Sequence, residues 1–153
     1  MLRGGTIVDA TLIAASPSTK NAAGQRDPEM RSSKKGNQWY FGMKAHIGVD
    51  ARSGLVHTVG VTSGSVHDAT VMERLIRDDD TAVYGDKGYA SGARKRAAEA
   101  AGVLWAVKEK GTSGRRLTVR QRTRNRRFGK VRAKVEHVSV SYTHLTLPTT
   151  PNV

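Results

Sequence analysis

The alternation of apolar and polar positions is clearest near the N-terminus. In residues 6–13 (TIVDATLI), Val8, Ala10 and Leu12 alternate with Ile7, Asp9 and Thr11, which predicts a short strand with one carboxylate in its middle. Residues 39–49 (WYFGMKAHIGV) and 55–62 (LVHTVGVT) are rich in β-branched and aromatic side chains. They flank Asp50-Ala51-Arg52-Ser53-Gly54, so the pair reads as a hairpin. Residues 14–37 hold Ser, Pro, Gly, Asn and charges without a sustained period and read as a long loop. Loops of that length inside a domain tend to carry function or to move.

Beyond the hairpin the period changes. Val71 and Leu75, with Met72 and Ile76, form an apolar stripe that predicts a helix over 68–77, with Ser65 or His67 near its N-cap. Residues 82–84 form a short apolar strand running into Gly85-Asp86-Lys87-Gly88-Tyr89. A small helix over 92–101 stops at Gly102, and residues 103–107 (VLWAV) read as another strand. Phe128, Val131, Val135 and Val138 recur at spacings of three and four, so a last helix runs through Glu136. The arginine-rich stretch before it reads as a basic linker. The expected order is strand, strand, strand, helix, strand, helix, strand, helix. Such an order implies an α/β domain, a mixed sheet with helices packed on it.

Charge sharpens this picture. Residues 108–134 carry twelve of the chain's 26 basic residues and one acidic residue, Glu109, so nearly all of the net +13 lies in one short stretch. A block of that kind points to a polyanion, because each neutralised phosphate releases counterions. Arg115, Arg116, Arg120, Arg122, Arg124, Arg126 and Arg127 form the run, and no base-reading pattern is visible in it. Lys34, Lys35 and Trp39 make a second basic group with a ring suited to stacking, although Trp39 reads equally well as a core residue of its strand. The chain has no cysteine, which excludes disulfides and thiolate zinc sites. His46 and His57 fall on paired strands without a visible third ligand, so no zinc site is expected. No run of about 18 apolar residues suggests a membrane span, and the N-terminus lacks the apolar segment of a signal peptide. A cytoplasmic, nucleoid-associated protein is expected.

Three carboxylates stand where chemistry could use them. Asp9 is mid-strand, Asp86 directly follows a strand, and Glu136 lies beside the apolar stripe of the last helix. Converging carboxylates repel unless a cation neutralises them, and hard oxygen ligands suit Mg²⁺ or Mn²⁺. Taken singly, each has a plain structural reading: a satisfied strand carboxylate, a turn former, and an i,i+4 partner of Arg132.

Four segments resemble the catalytic domain of bacterial insertion-sequence DDE transposases: GTIVDATLI, KKGNQWYFGMKAHIGVDARSGLVHTV, VYGDKGY and RAKVEH. The resemblance covers roughly residues 4–138 and implies a ribonuclease-H-like fold whose acidic triad binds two divalent metal ions. It places the triad at Asp9, Asp86 and Glu136, with Arg132 completing an R-x-x-x-E arrangement. It implies metal-dependent cleavage of DNA at transposon ends and transfer of the 3′-hydroxyl to a target duplex, often by a homodimer. His67-Asp68 resembles an H-D pair of the family, and its plainer role is capping the following helix. Lys87, beside Asp86, could reach a phosphate. Two other readings stay open: a non-catalytic basic nucleic-acid-binding module, or another ribonuclease-H-like nuclease. Members of the family carry an upstream helical DNA-recognition segment, and this chain starts almost at the first strand. Residues 139–153 lack a helical period and begin with SVSYTHL, which resembles a translated library adapter. They are expected to be a non-native tail that truncates the last helix.

Overall fold

The computed structural model describes residues 4–16 and 24–143, with side chains described to Val138. Residues 144–153 of the expected tail at 139–153, and part of the expected loop, lie outside the described residues.

Six strands form one mixed sheet. β1 (Thr6–Ala14) is its pivot, antiparallel to β3 (Gln38–Asp50) on one side and parallel to β5 (Ala82–Gly85) on the other. β6 (Leu104–Val107) continues the parallel side, and β4 (Val56–Ser63) and β2 (Arg31–Lys35) pair antiparallel with β3. The helices are α1 (Asp68–Leu75), α2 (Gly92–Ala100) and α3 (Val119–Thr143). This is the α/β, ribonuclease-H-like arrangement that the sequence implied.

Alternation along β1 splits the core into two layers. Val8 faces α1 and packs with Val71, Met72, Leu75, Val83, Tyr89 and Val107. Its neighbour Ile7 faces α3 and packs with Ile47, Val49 and Val135, the reach expected of side chains pointing to opposite faces. Thr6, Ile7 and Val8 are fully buried, and β1 becomes half-buried from Asp9 onward.

Two elements differ from expectation. Part of the stretch read as loop is strand β2, joined to β3 through the two-residue turn Gly36-Asn37 between the paired Lys35 and Gln38. Gly36 has φ +62°, the left-handed geometry that such a turn needs at its first position. β2 is almost wholly exposed, so backbone pairing alone holds it and no apolar alternation betrays it. The basic stretch is also not a linker, because α3 starts at Val119. Thr118 and Gln121 make a reciprocal capping box, Gln121 N–H to Thr118 Oγ1 at 3.2 Å and Thr118 N–H to Gln121 Oε1 at 2.8 Å. The first turns carry no apolar stripe, so periodicity could not reveal them, while straight-chain arginines are good helix formers. At the other end the backbone stays helical to Thr143, past the expected boundary at 138.

The N-terminal end of β1 is fixed by a buried polar network. Thr6 donates its hydroxyl to Asp80 and accepts from His57 Nε2 at 3.0 Å. Arg77 spans Asp80 at 2.9 Å and Asp50 at 3.0 Å. Asp50 also accepts the Arg52 and Ser53 amides and the Ser53 hydroxyl, closing the turn between β3 and β4. The Ser53 amide first, then Arg77 working against burial, holds the Asp50 carboxyl well below the usual range. Replacing Thr6 by the isosteric Val strands Asp80 and His57 without their shared partner. It should lower stability by roughly 2 kcal/mol, read as a lower urea midpoint at unchanged m-value; an unchanged midpoint would show the network to be redundant.

Candidate active site at the ends of the parallel strands

The register of the two central strands builds the site. Thr6 pairs with Val83 and Ile7 with Tyr84 across the parallel pair. The same offset, carried two residues further, sets Asp9 beside Asp86. Alternation keeps both on the α3 side, since Asp9 follows Ile7 by two and Asp86 follows Tyr84 by two, and Ile7 and Tyr84 pack on that face. Both are half-buried, at the rim where the core stops.

α3 crosses this rim. Val135 is fully buried against Ile7, and Tyr84 meets Phe128 edge-on with ring centroids 6.4 Å apart. That docking brings Arg132 over the aspartates, with Nη2 3.6 Å from Asp9 and Nη1 3.7 Å from Asp86. Arg132 thus turns to the aspartates, not to Glu136 as the helix-pair reading had it. Glu136 stands one turn further along α3 and is exposed. Among the described residues no three metal-ligating side chains sit close enough to hold an ion together. The structure joins Asp9 to Asp86 through Arg132 and leaves Glu136 on the adjoining turn.

Does this donor set fit a divalent cation? Two hard carboxylates flank a positive group, which is the charge arrangement such an ion favours. Two buried polar atoms beside them lack any hydrogen-bond partner, Arg132 Nε and the Tyr89 hydroxyl. Burial, then the charges of Asp68 and Asp9, push the Tyr89 phenol well up, so it stays a donor in search of an acceptor. Those two atoms are donors and call for an acceptor, so it is the carboxylate pair that offers a hard oxygen set suited to a divalent cation.

Sequence reasoning missed several neighbours. Tyr89 looked like part of a turn motif, and Lys108 and Lys110 were lost in the basic block. With Asp86, Lys87 and Asn125 these lysines line an open groove of about 780 Å³ leading away from the aspartates. Asn125 clamps the chain after β6, accepting from the Glu109 amide and donating to its carbonyl, both at 2.9 Å. Arg124 pairs with the Glu109 carboxylate at 2.6 Å, so one member of the arginine run is committed to structure. Arg115 and Arg116 are exposed in the loop before α3, and Arg120, Arg122, Arg126 and Arg127 are exposed on the helix. At about 100° per residue, Arg120 and Arg127 lie together on one side of Arg124, while Arg122 and Arg126 lie on the flank nearer Glu136. Lys34, Lys35 and Trp39 project from the β2–β3 hairpin, and Trp39 is 66% exposed, so it is no core residue. His67 caps α1 through the Ala69 amide, and Asp68 pairs with Lys44 at 2.9 Å.

A matching family model, described as a transposase DDE domain, covers residues 1–141.

The two strand histidines are structural. His46 is fully buried; Thr62 donates its hydroxyl to Ser63 O and accepts from His46 Nε2 at 2.7 Å, leaving Nδ1 without a partner. Burial lowers the affinity of His46 and His57 for a proton, with nearby carboxylates offsetting it only in part. A histidine whose folded pKa is depressed contributes stability above its unfolded pKa, about 6.5, and loses it as the pH falls toward the folded value. The thermal midpoint should therefore drop between pH 7 and pH 5, with a shallower fall in a His46→Gln variant; parallel curves would remove His46 as a cause.

Proposed function

The chain belongs to the DDE transposase family, a family whose members cut and join DNA with the help of divalent metal ions, and from that premise we propose that Asp9, Asp86 and Glu136 are its metal-binding catalytic triad. The observation that supports this most is the register that sets Asp9 beside Asp86 with a cation between them. We read the ions as Mg²⁺, with Mn²⁺ as substitute, two per site. Bound there, they would activate the attacking oxygen and stabilise the departing 3′-oxygen in an in-line displacement.

The chain's own residues supply position and charge. Asp9 and Asp86 hold the metal side of the site from two rigid neighbouring strands. Glu136 approaches from α3, whose docking depends on Val135 and Phe128. Lys87, Lys108 and Lys110 line the groove leading off Asp86 and suit the backbone of the strand being cut. Arg115, Arg116, Arg120, Arg122, Arg126 and Arg127 carry further phosphate contacts, with Arg124 serving mainly to pin Glu109, whereas Arg132, expected from the sequence to bind DNA, is buried against Asp9 and Asp86. Lys34, Lys35 and the exposed Trp39 offer a second DNA contact, the indole stacking on a base or sugar. The substrates are the ends of a bacterial insertion sequence and a target duplex, bound by a homodimer in the nucleoid. No helix among the described residues is long and apolar enough to cross a membrane.

Two experiments test this reading. Supercoiled plasmid should be nicked in Mn²⁺ and left intact in EDTA, and Asp9→Asn or Asp86→Asn should slow nicking at least about 100-fold with DNA binding retained. Nicking at the parental rate in both variants would remove the aspartates from catalysis. In duplex binding, an Arg122→Ala, Arg126→Ala pair should reduce the slope of log K against log salt by about 2, since each phosphate contact contributes close to one. An unchanged slope would put the DNA elsewhere.

A further inference from the structure

Arg132 differs from the other buried or half-buried ion pairs among the described residues. Lys44–Asp68, Arg77–Asp80 and Arg77–Asp50 close at 2.9, 2.9 and 3.0 Å, within hydrogen-bond reach. Arg132 holds two carboxylates at 3.6 and 3.7 Å, beyond that reach and without the parallel fork that makes an arginine–carboxylate pair strong. It is 8% exposed, and its Nε has no partner. A guanidinium buried to that extent is normally satisfied, because each stranded donor costs stability. Asp9 and Asp86 share this one guanidinium. The Tyr89 hydroxyl, buried in the α1-side core in the field of Asp68 first and then of Asp9, Arg132 and Asp86, is stranded as well. The group therefore supplies charge to this point and makes none of the bonds that would fix it there.

We propose that Arg132 is a place-holding cation. It keeps Asp9 and Asp86 together while no metal is bound, and an incoming divalent cation must displace it. The proposal rests on reading Asp9 and Asp86 as metal ligands. Displacement is cheap because the guanidinium gives up no hydrogen bond to either aspartate. The exchange is favourable because a divalent charge neutralises both carboxylates and accepts direct oxygen coordination. Arg132 therefore competes with the metal, and the chain binds metal more weakly than two unopposed carboxylates would.

The test is calorimetric titration of Mn²⁺ into the full chain and into R132Q, R132K and a D9N/D86N pair. R132Q should bind roughly tenfold more tightly than the parent, because a like charge within about 4 Å of the ion has gone. R132K, which keeps the charge, should stay near the parent. Equal or weaker binding by folded R132Q overturns the place-holder while leaving the ligand reading intact. Parental binding by D9N/D86N, or none by the parent, overturns the ligand reading and the proposal with it. Should R132Q not fold, the parent alone decides the matter. On titration with Mg²⁺, the ¹⁵N resonance of the Arg132 Nε–H should shift in step with metal saturation, and a resonance that stays fixed while metal binds overturns the proposal.

Discussion

Two carboxylates side by side on neighbouring parallel strands require a positive charge, and much of this fold can be understood as meeting that requirement. Strands in a sheet are about 5 Å apart, so two ionised groups on them repel by no more than about 3 kcal/mol at an effective dielectric of 20. Asp86 is nearly half exposed, which screens the repulsion further. The cost is bearable because β1 and β5 deliver the aspartates to the rim of the core and not into it. Thr6, Ile7 and Val8 anchor β1 in full burial, and Asp9 is the first residue to escape it. The same step occurs on the neighbour, from buried Gly85 to half-exposed Asp86. A rigid base therefore stops one residue short of the groups that must stay open to solvent and substrate.

Rigidity at that point is secured from the opposite end. The Thr6–Asp80–Arg77–Asp50 network ties the start of β1 to the end of β3 and to the segment after α1. Apolar layers on both faces then hold the strand between the network and Asp9. Polar groups do the fixing where two loops must be joined, and apolar groups where an element must be covered. A parallel pair cannot be set by a tight turn, so the pairing of β1 with β5 relies on these long-range constraints.

How much of this was legible in the sequence follows from which physical signal each element carries. β1 and β3 bury at least one face and announce themselves by their apolar positions; β4, whose Val59 and Val61 are exposed, is marked by its β-branched residues and the turn before it, and α1 by its apolar stripe. Even the juxtaposition of Asp9 and Asp86 was within reach, because their separation in sequence equals the register offset of the strands. That equality becomes visible only once the partner strands are known. β2 and the first turns of α3 escaped because neither buries an apolar face, although Gly36-Asn37 marked the end of the one and Thr118-x-x-Gln121 the start of the other. The pairing of Arg132 with both aspartates escaped for a different reason. A residue four before a glutamate on a helix suggests a local partner, and only tertiary docking sends it across to the sheet.

That docking makes α3 the element on which the site's completeness turns. Its first turns are held by polar contacts, the capping box and the Asn125 clamp on Glu109, and the stretch from Phe128 to Val135 by apolar packing against the sheet. Polar contacts fix the helix lengthwise without covering it, so its arginines stay in solvent, where a phosphate backbone can reach them. Apolar contacts fix its rotation, and rotation decides which side chains meet the aspartates. A turn of the helix by one residue would swing Arg132 and Glu136 away by about 100°. The division of labour thus lets one helix be highly charged along its exposed sides and accurately seated at the carboxylates, two demands that a uniformly amphipathic helix would set against each other.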